Sequence, residues 1–246
     1  MSNEDVIEIE HFKQQFGKFV VLENINLAVK KGEILGLLGP SGSGKTTLIK
    51  AIVGMSEPTR GSVKVLQTKM PSLAAVSKIG YMAQSDALYE DLNVYDNILF
   101  FASLYGMKGR IAKKRADEVL ELVLLRDEGK KLIKNFSGGM KRRLSLAIAL
   151  VHKPEILILD EPTVGIDPVL RIQFWKEFER LKKDGVTIII TTHVMDEAEH
   201  CDRLALIRNG GIIAIGTPEE LKKKSGESTV EGAFLYYGKE GEAKKI

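Results

Sequence analysis

The chain has 246 residues, of which 36 are basic and 33 acidic, for a net charge of +3. This length suits one large α/β domain with an inserted subdomain and is too short for two such domains. A nucleic-acid partner would favour a much stronger basic excess, so none is expected. The three basic clusters are interpreted as solvated helix faces; they are 113–115, 141–143 and 222–224.

Features of secreted or membrane-spanning proteins are not apparent. Cys201 is the single cysteine, so no internal disulfide can form and a reducing compartment is expected. We interpret Cys201 as a small, partly buried thiol. The acidic start, residues 1–10, does not read as a secretory signal. No uncharged apolar stretch reaches the ~18 residues of a membrane helix, so any role at a membrane requires a partner chain.

Apolar periodicity predicts alternating strands and helices along the chain. In the first third, strands are predicted at 6–12, 19–29, 34–38, 62–66 and 79–83, and a helix at 45–53. From 86 to 135 the spacing becomes helical, which indicates a helical insertion between two parts of one sheet.

The second half repeats the alternation. Ser137 is predicted to cap a helix that Pro154 ends. Further strands are predicted at 156–159, 186–191, 204–207 and 212–215, and further helices at 172–183, 196–201 and 218–224. The tail from Gly226 is expected to be partly mobile, apart from an apolar patch at 234–237. The alternation predicts an α/β fold with a largely parallel sheet.

The segment Gly39–Thr46 fits the phosphate-loop pattern G-x-x-x-x-G-K-[ST], and it follows an apolar strand and precedes a helix. Backbone N–H groups of such a loop, and the start of the helix, bind phosphate oxygens. Lys45 is expected to contact the β- and γ-phosphates, and Thr46 to bind Mg²⁺. The predicted nucleotide contacts in this segment are Gly39, Pro40, Ser41, Gly42, Ser43, Gly44, Lys45, Thr46 and Thr47.

Two acidic residues, Asp160 and Glu161, end a buried strand. Ligands of open α/β sheets bind beyond the carboxyl ends of the strands, so Asp160 is expected to hold Mg²⁺ and Glu161 to reach the attacking water. No guanine-reading [NT]-K-x-D stretch occurs, so adenine is the expected base. Phe16 is a candidate for stacking on adenine, with core or edge packing as the alternative.

The segment Phe136–Met140 resembles the L-S-G-G-Q signature of ABC-type ATPases. With the phosphate loop and the run from Ile156 to Pro168, the resemblance covers nearly the whole chain. It implies an ABC-type P-loop NTPase fold: a mostly parallel core, an antiparallel N-terminal β-subdomain and an inserted helical subdomain. It also implies that residues 1–246 form one domain, with a core at 1–85 and 155–225, a signature subdomain at 86–154 and a tail at 226–246.

The resemblance also assigns roles residue by residue. It implies that Gln84 contacts Mg²⁺ and that His193 contacts the γ-phosphate, so both join Glu161 among the catalytic candidates. Contacts to ATP held by a second subunit are implied for Ser137, Gly138, Gly139 and Asp167. Because the phosphate loop and the signature then face different nucleotides, two chains are expected to pair head to tail around two ATP molecules.

Met140 stands where the signature usually has glutamine, and basic residues follow it. This variant, with the ending from Gly216 to Leu221 and beyond, is similar to the daunorubicin-resistance group of exporter ATPases. The resemblance implies a subunit at the cytoplasmic face of the membrane that drives a separate transmembrane chain. Tyr89, Leu92, Val94 and Tyr95 are candidates for a groove that receives this chain, with insertion core as the alternative.

Two rival functions remain open from the sequence. One is a soluble ABC-type ATPase that serves a process other than transport. The other is a regulator that binds ATP without cleaving it, although Glu161 and His193 argue against this. Pairing of two identical chains and pairing with a different ATPase chain are both compatible with the resemblance.

Overall fold

The computed structural model describes residues 4–243, with side chains described up to Lys239. The chain forms two compact units: the first combines the residues up to Val76 with those from Thr187 onward, and the second comprises Ser77–Val186. Within the described residues, no helix combines the length and apolar character that a membrane span requires.

The elements alternate as the sequence predicts. The strands are β1 (Asp5–Phe16), β2 (Phe19–Lys30), β3 (Ile34–Leu38), β4 (Arg60–Val65), β5 (Thr68–Lys69), β6 (Ile79–Met82), β7 (Ile156–Asp160), β8 (Thr187–Thr192), β9 (Arg203–Arg208) and β10 (Gly211–Gly216). The helices are α1 (Lys45–Ile52), α2 (Leu73–Val76), α3 (Val94–Leu104), α4 (Gly109–Leu122), α5 (Gly138–Leu150), α6 (Pro168–Lys183), α7 (Met195–Ala198), α8 (Pro218–Ser225) and α9 (Val230–Ala243).

An antiparallel sheet with the order β2-β1-β4-β5 lies in the first unit. Its long hairpin pairs β1 with β2, and residues at alternate positions of β1, among them Ile7 and Ile9, are buried. Alternation of buried and exposed side chains is the expected pattern of a strand with one face on the core. This sheet confirms the antiparallel N-terminal subdomain.

The central strand of the first unit is β3, which pairs in parallel with β8 on one side and β9 on the other. All five of its residues are buried, as its continuous apolar run predicts. Strand β9 continues into β10 through Asn209 and Gly210, whose φ angles of 50° and 74° suit the predicted hairpin turn.

The second unit contains the parallel pair β6 and β7, together with helices α3 to α6. The last turn of α5 packs directly on β6 at Gly80. A Cβ atom at that position would collide with the backbone oxygen of Ala149 and lie 2.9 Å from Cγ of Pro154. Since β3–β8, β3–β9 and β6–β7 are parallel, the core strands are mostly parallel, as predicted.

Several elements differ from the sequence-based predictions; β1, for example, extends to Phe16, whereas the predicted strand ends at residue 12. Helix α6 begins at Pro168, one turn before the predicted start, because Asp167 caps it and proline suits the first helical position. Helix α7 is a single turn. The tail predicted to be partly mobile instead forms α9, which buries Val230 and Ala233; residues 244–246 lie outside the described part.

Candidate functional site

The segment between β3 and α1 forms a loop around the side chain of Lys45. Its Nζ donates hydrogen bonds to the carbonyl oxygens of Gly39, over 2.7 Å, and Pro40, over 3.0 Å. The N-cap of α1 is Gly44, and no side chain caps the helix start. The positive end of α1 and the Lys45 ammonium therefore converge on one loop, which is the arrangement of an anion-binding site.

A buried hydroxyl supports this interpretation of the loop. Ser43 is 6% exposed, and its Oγ has no hydrogen-bond partner among residues 4–243. Buried polar atoms are almost always paired, so an orphaned hydroxyl beside Lys45 fits an oxygen-rich ligand. Thr46 and Thr47 follow in the first turn of α1 and are half-buried.

Gly44 is required for the shape of this loop. Its φ angle is 102°, and a Cβ atom there would lie 2.5 Å from Cδ2 of Leu22. Gly42 also has a positive φ, of 79°, but a Cβ atom on it would meet nothing within 4 Å. Gly44, the second glycine of the phosphate-loop pattern, is therefore required both by its positive φ angle and by the lack of room for a Cβ atom. Gly42 is constrained only by its φ angle.

Strand register brings His193 next to the start of the loop. Leu38 of β3 pairs with Thr192 of β8, so Gly39 and His193 are the first residues beyond two adjacent parallel strands. His193 is exposed. Phe16, the last residue of β1, is 57% exposed and pairs with Phe19 across the hairpin. Its ring is thus accessible for stacking, as the adenine hypothesis requires.

In the second unit, register also explains how Gln84 meets Glu161. Met82 pairs with Leu159, so the two chain segments leave β6 and β7 side by side. Gln84 Nε2 donates to Oε2 of Glu161 over 3.4 Å. Glu161 itself has a φ of 52°, a conformation that costs about 1–3 kcal/mol and is concentrated at functional sites.

Asp160, the last residue of β7, is 1% exposed. Its carboxylate influences the neighbouring strand: burial, with a smaller contribution from Asp160, raises the pKa of Tyr81 to about 12. A buried carboxylate next to the half-buried carboxyl of Glu161 fits a pair in which one group binds a cation and the other acts on water.

The signature segment begins α5. Ser137 is the N-cap, and its Oγ accepts a hydrogen bond from the backbone N–H of Met140. Gly138 is open to solvent, and a Cβ atom on Gly139 would lie 3.3 Å from the backbone oxygen of Gly165. This confirms the predicted cap and leaves the helix start approachable by an anion.

Asp167 caps α6 in the same unit. Its Oδ1 accepts hydrogen bonds from the N–H groups of Val169, over 3.1 Å, and Leu170, over 3.0 Å. The carboxylate is exposed. Asp167 therefore stabilises the start of α6. Its predicted contact to a second subunit would be an additional role.

Arg142 is the residue that the sequence analysis missed. It was interpreted as part of a solvated face, but it is 7% exposed and donates hydrogen bonds to the backbone oxygens of both Gln84 and Glu161. The signal was available in the spacing: Arg142, Leu146 and Ala149 fall at i, i+4 and i+7, on one buried stripe of α5.

The predicted groove residues divide into two groups. Val94 is fully buried and belongs to the core of the second unit, so the alternative interpretation is correct for it. Tyr95 is half-buried and its hydroxyl donates to the Lys113 oxygen over 3.1 Å. Tyr89 is 49% exposed and packs edge-to-face on Phe100 at 4.7 Å between ring centroids, while Leu92 is half-buried.

No metal site made of protein side chains alone is present in the described part of the chain. Within the described residues there is no group of three or more His, Cys, Asp or Glu side chains suited to a metal ion. Mg²⁺ is commonly held by one or two carboxylates completed by phosphate oxygens and waters. Asp160, with the amide of Gln84 just beyond the adjacent parallel strand, fits that mode. Cys201 is buried more completely than the sequence analysis predicted.

The chain is similar to known ATP-binding proteins. The family model described as ABC transporter matches residues 22–164. The probable multidrug ABC transporter ATP-binding protein YbhF of Escherichia coli (strain K12) is 42% identical over 239 residues, which cover 94% of this chain and 41% of that protein. The linearmycin resistance ATP-binding protein LnrL of Bacillus subtilis (strain 168) is 42% identical over 228 residues, which cover 92% of this chain and 73% of LnrL.

Among solved structures, the dimeric ATP-binding cassette MJ0796, bound to ADP and Pi in a post-hydrolysis state, superposes with a TM-score of 0.78. It is 27% identical, and the match covers 86% of this chain and 98% of the cassette. The chain spans about two fifths of the length of YbhF and about three quarters of that of LnrL. With the phosphate loop, the signature helix and the paired carboxyls in place, the chain belongs to the ABC transporter family and is an ATP-binding domain of it.

Proposed function

We propose that this chain binds ATP with Mg²⁺, hydrolyses it, and thereby drives export through a separate transmembrane subunit. The observation that carries the proposal is the hydrogen bond between Gln84 and Glu161 next to the buried Asp160. This arrangement puts a carboxylate capable of acting on water beside one capable of holding the metal. Relatives named as a probable multidrug ABC transporter ATP-binding protein and a linearmycin resistance ATP-binding protein support transport over the non-transport alternative.

The nucleotide contacts are proposed as follows. Lys45 leaves the carbonyls of Gly39 and Pro40 to bind the β- and γ-phosphates, while the N–H groups of the loop and the Ser43 hydroxyl bind phosphate oxygens. Phe16 stacks on adenine. Thr46, Gln84 and Asp160 hold Mg²⁺, which would neutralise charge on the phosphates.

Hydrolysis is proposed to depend on Glu161 and His193. Glu161 takes the proton of the attacking water, a function worth ~10²–10⁴-fold in rate. His193 donates a hydrogen bond to the γ-phosphate from its position beyond β8. The presence of both residues argues against a regulator that binds ATP without cleaving it.

Two chains are proposed to close head to tail around two ATP molecules, so that Ser137, Gly138, Gly139 and Asp167 of one chain contact the nucleotide of the other. The dimeric cassette with ADP and Pi supports this arrangement. Each charge-assisted hydrogen bond to the γ-phosphate contributes about 1.5–3 kcal/mol. Several such bonds exceed the ~5.5 kcal/mol that shifts a two-state equilibrium from one side to the other.

The transmembrane subunit is proposed to dock on an exposed apolar surface of the second unit. This surface is formed by Tyr89, Phe100 and Leu104, which are 49%, 37% and 66% exposed. This would place the chain at the cytoplasmic face of the membrane. Residues 86–154 would then act as the signature subdomain, between the core segments 1–85 and 155–225, with 226–246 as the tail.

The variant Glu161→Gln tests the proposal. It should bind ATP with little change in affinity, hydrolyse it ~10²–10⁴-fold more slowly, and elute as a dimer from a sizing column under saturating ATP and Mg²⁺. Unchanged turnover would overturn the assignment of Glu161, and a monomer under these conditions would count against the shared-nucleotide dimer. ATPase activity that rises when the chain is reconstituted with a co-purifying multi-span protein would support transport.

A further inference from the structure

The guanidinium of Arg142 connects the two segments that carry the proposed catalytic groups. Nη1 donates to the backbone oxygens of Ala83, over 2.7 Å, and Gln84, over 3.0 Å. Nη2 donates to the backbone oxygens of Asp160, over 3.0 Å, and Glu161, over 2.7 Å. One side chain from α5 thus binds four carbonyls in the segments that follow β6 and β7.

Only arginine can make this set of contacts. Its two terminal nitrogens carry two N–H groups each in a rigid plane, and here each nitrogen serves one of the two segments. A lysine ammonium at the same place would be a single point charge without the fork. The positive charge of Arg142 is accompanied by Asp86, whose Oδ1 lies 3.4 Å from Nη1 and also accepts from the Ser145 hydroxyl over 2.7 Å.

The bonds fall where the backbone needs external support. Glu161 has the left-handed φ of 52°, which its neighbours must impose because the free chain avoids it. Arg142 binds the carbonyls on both sides of that residue's N–H and Cα, at Asp160 and Glu161. It also binds the carbonyl of Gln84, whose side chain is 3.4 Å from the Glu161 carboxylate. The orientation of the Glu161 carboxylate therefore depends on Arg142, which binds the backbone and not the carboxylate itself.

We propose that Arg142 is a positioning residue for ATP hydrolysis, which holds the backbone of Gln84 and Glu161 so that the Glu161 carboxylate faces the attacking water. The inference rests on the proposed function. It differs from a role in stability, because a residue that acts through Glu161 should change turnover and leave ATP affinity nearly intact. It also makes the signature helix, which begins at Ser137, the physical support of the hydrolytic group in its own chain.

The test uses the full chain and the variants Arg142→Lys and Arg142→Met. Both should lower kcat by on the order of 10- to 100-fold, the range seen when groups that orient a site's ligands are removed, with KM for ATP nearly unchanged. The lysine variant keeps the positive charge and the folded core. A low kcat in this variant would therefore identify the paired N–H groups of the guanidinium as the required feature. Parent-like kcat in Arg142→Lys would overturn the proposal, even if the methionine variant did not fold.

Arg115→Met is the matched control. Arg115 also binds backbone carbonyls of the same helix region, with Nε donating to Val151 over 3.0 Å and Nη2 to Leu150 over 2.7 Å, but at the far end of α5. Thermal unfolding should show comparable losses for Arg115→Met and Arg142→Met, and kcat should fall only in the latter. Equal losses of kcat in both would reduce Arg142 to a structural role.

A double mutant with Glu161→Gln separates the inference from the proposed function. If Arg142 acts through Glu161, Arg142→Lys should not slow Glu161→Gln any further, because the group that it orients is already gone. A further slowing equal to that seen in the parent would overturn the inference while leaving the catalytic role of Glu161 standing. If the parent and Glu161→Gln hydrolyse ATP equally, the proposed function itself fails.

Discussion

The side-chain amide of Gln84 donates a hydrogen bond to the carboxylate of Glu161, although 77 positions separate the two residues in the chain. The contact joins the end of β6 to the end of β7 and depends on their parallel register. It gives the Glu161 carboxyl a fixed neighbour that carries no charge. A movement of either segment would therefore alter the group that we propose acts on water.

Lys45→Ala should weaken ATP binding, because the ammonium is the only side-chain charge in the Gly39–Thr46 segment. Loss of charge-assisted hydrogen bonds worth about 1.5–3 kcal/mol corresponds to a fall in affinity of roughly 10- to 150-fold. Titration calorimetry with ATP and Mg²⁺ would measure it. Lys50→Ala, on the exposed side of the same helix, should bind as the parent does, and equal affinity for both variants would refute the site.

Gly44→Ala should destabilise the chain more than Gly42→Ala does. Both place alanine at a positive φ, which costs about 1–2 kcal/mol, but only the first also pushes a Cβ against Leu22. The difference in the free energy of unfolding in urea isolates that collision. Identical values for the two variants would mean that Leu22 moves aside without cost.

Ser137→Ala should lower both stability and ATPase activity, whereas Thr217→Ala should lower stability alone. Each serine or threonine is the N-cap of a helix, at α5 and α8 respectively, and removing such a cap costs about 0.5–2 kcal/mol. Only Ser137 is proposed to contact a nucleotide. Thermal unfolding and steady-state ATPase rates would be measured for both, and a rate that follows stability in the two variants alike would exclude the contact.

The stability of the folded chain should fall between about pH 6.5 and pH 4 because of His152. Burial lowers the pKa of His152 to about 4. A hydrogen bond from Nε2 to the Ile79 oxygen raises the pKa, but by less than burial lowers it. Below pH 6.5 His152 of the unfolded chain is protonated, whereas His152 of the folded chain stays neutral until about pH 4. Because the unfolded chain binds more protons in this range, a lower pH favours unfolding.

The variant His152→Gln tests the assignment, because glutamine can still donate to the Ile79 oxygen and does not titrate. Its free energy of unfolding should depend less steeply on pH than that of the parent between pH 6.5 and 4. Above pH 6.5 the two curves should run in parallel. Equal slopes within the window would show that other groups govern the acid response.

Local patterns were sufficient to predict most of the elements. The five-residue apolar run of β3 and the loop after it are recognisable from consecutive residues, and both lie as predicted. The start of α6 was misjudged, although Asp167 followed by Pro168 is a cap followed by a favoured first residue. The helical tail could not be foreseen from its glycine and charge content, because burial of Val230 and Ala233 stabilises α9.

Tertiary contacts explain what the sequence analysis missed in the candidate site. Basic residues on a helix are usually solvated, and Arg142 is buried only because carbonyls of two distant segments converge on it. The partition of the predicted groove has the same origin. Val94 and Tyr89 are similar in apolar character, but the fold of the second unit buries one and exposes the other. Spacing places Arg142 on the buried stripe of α5 but does not identify the carbonyls that it contacts.

The absence of a side chain at Gly80 has a consequence for how this domain can vary. Because α5 rests on β6 at that residue, any substitution would lift or slide the whole helix, and with it Ser137 and Arg142 at and near the opposite end. A residue without a side chain thereby restricts the geometry of Ser137, which we propose contacts a nucleotide, and of Arg142, which we propose positions Glu161. Saturation mutagenesis scored by growth should therefore find position 80 as intolerant as the phosphate loop, and random libraries for altered activity would do well to leave it unchanged.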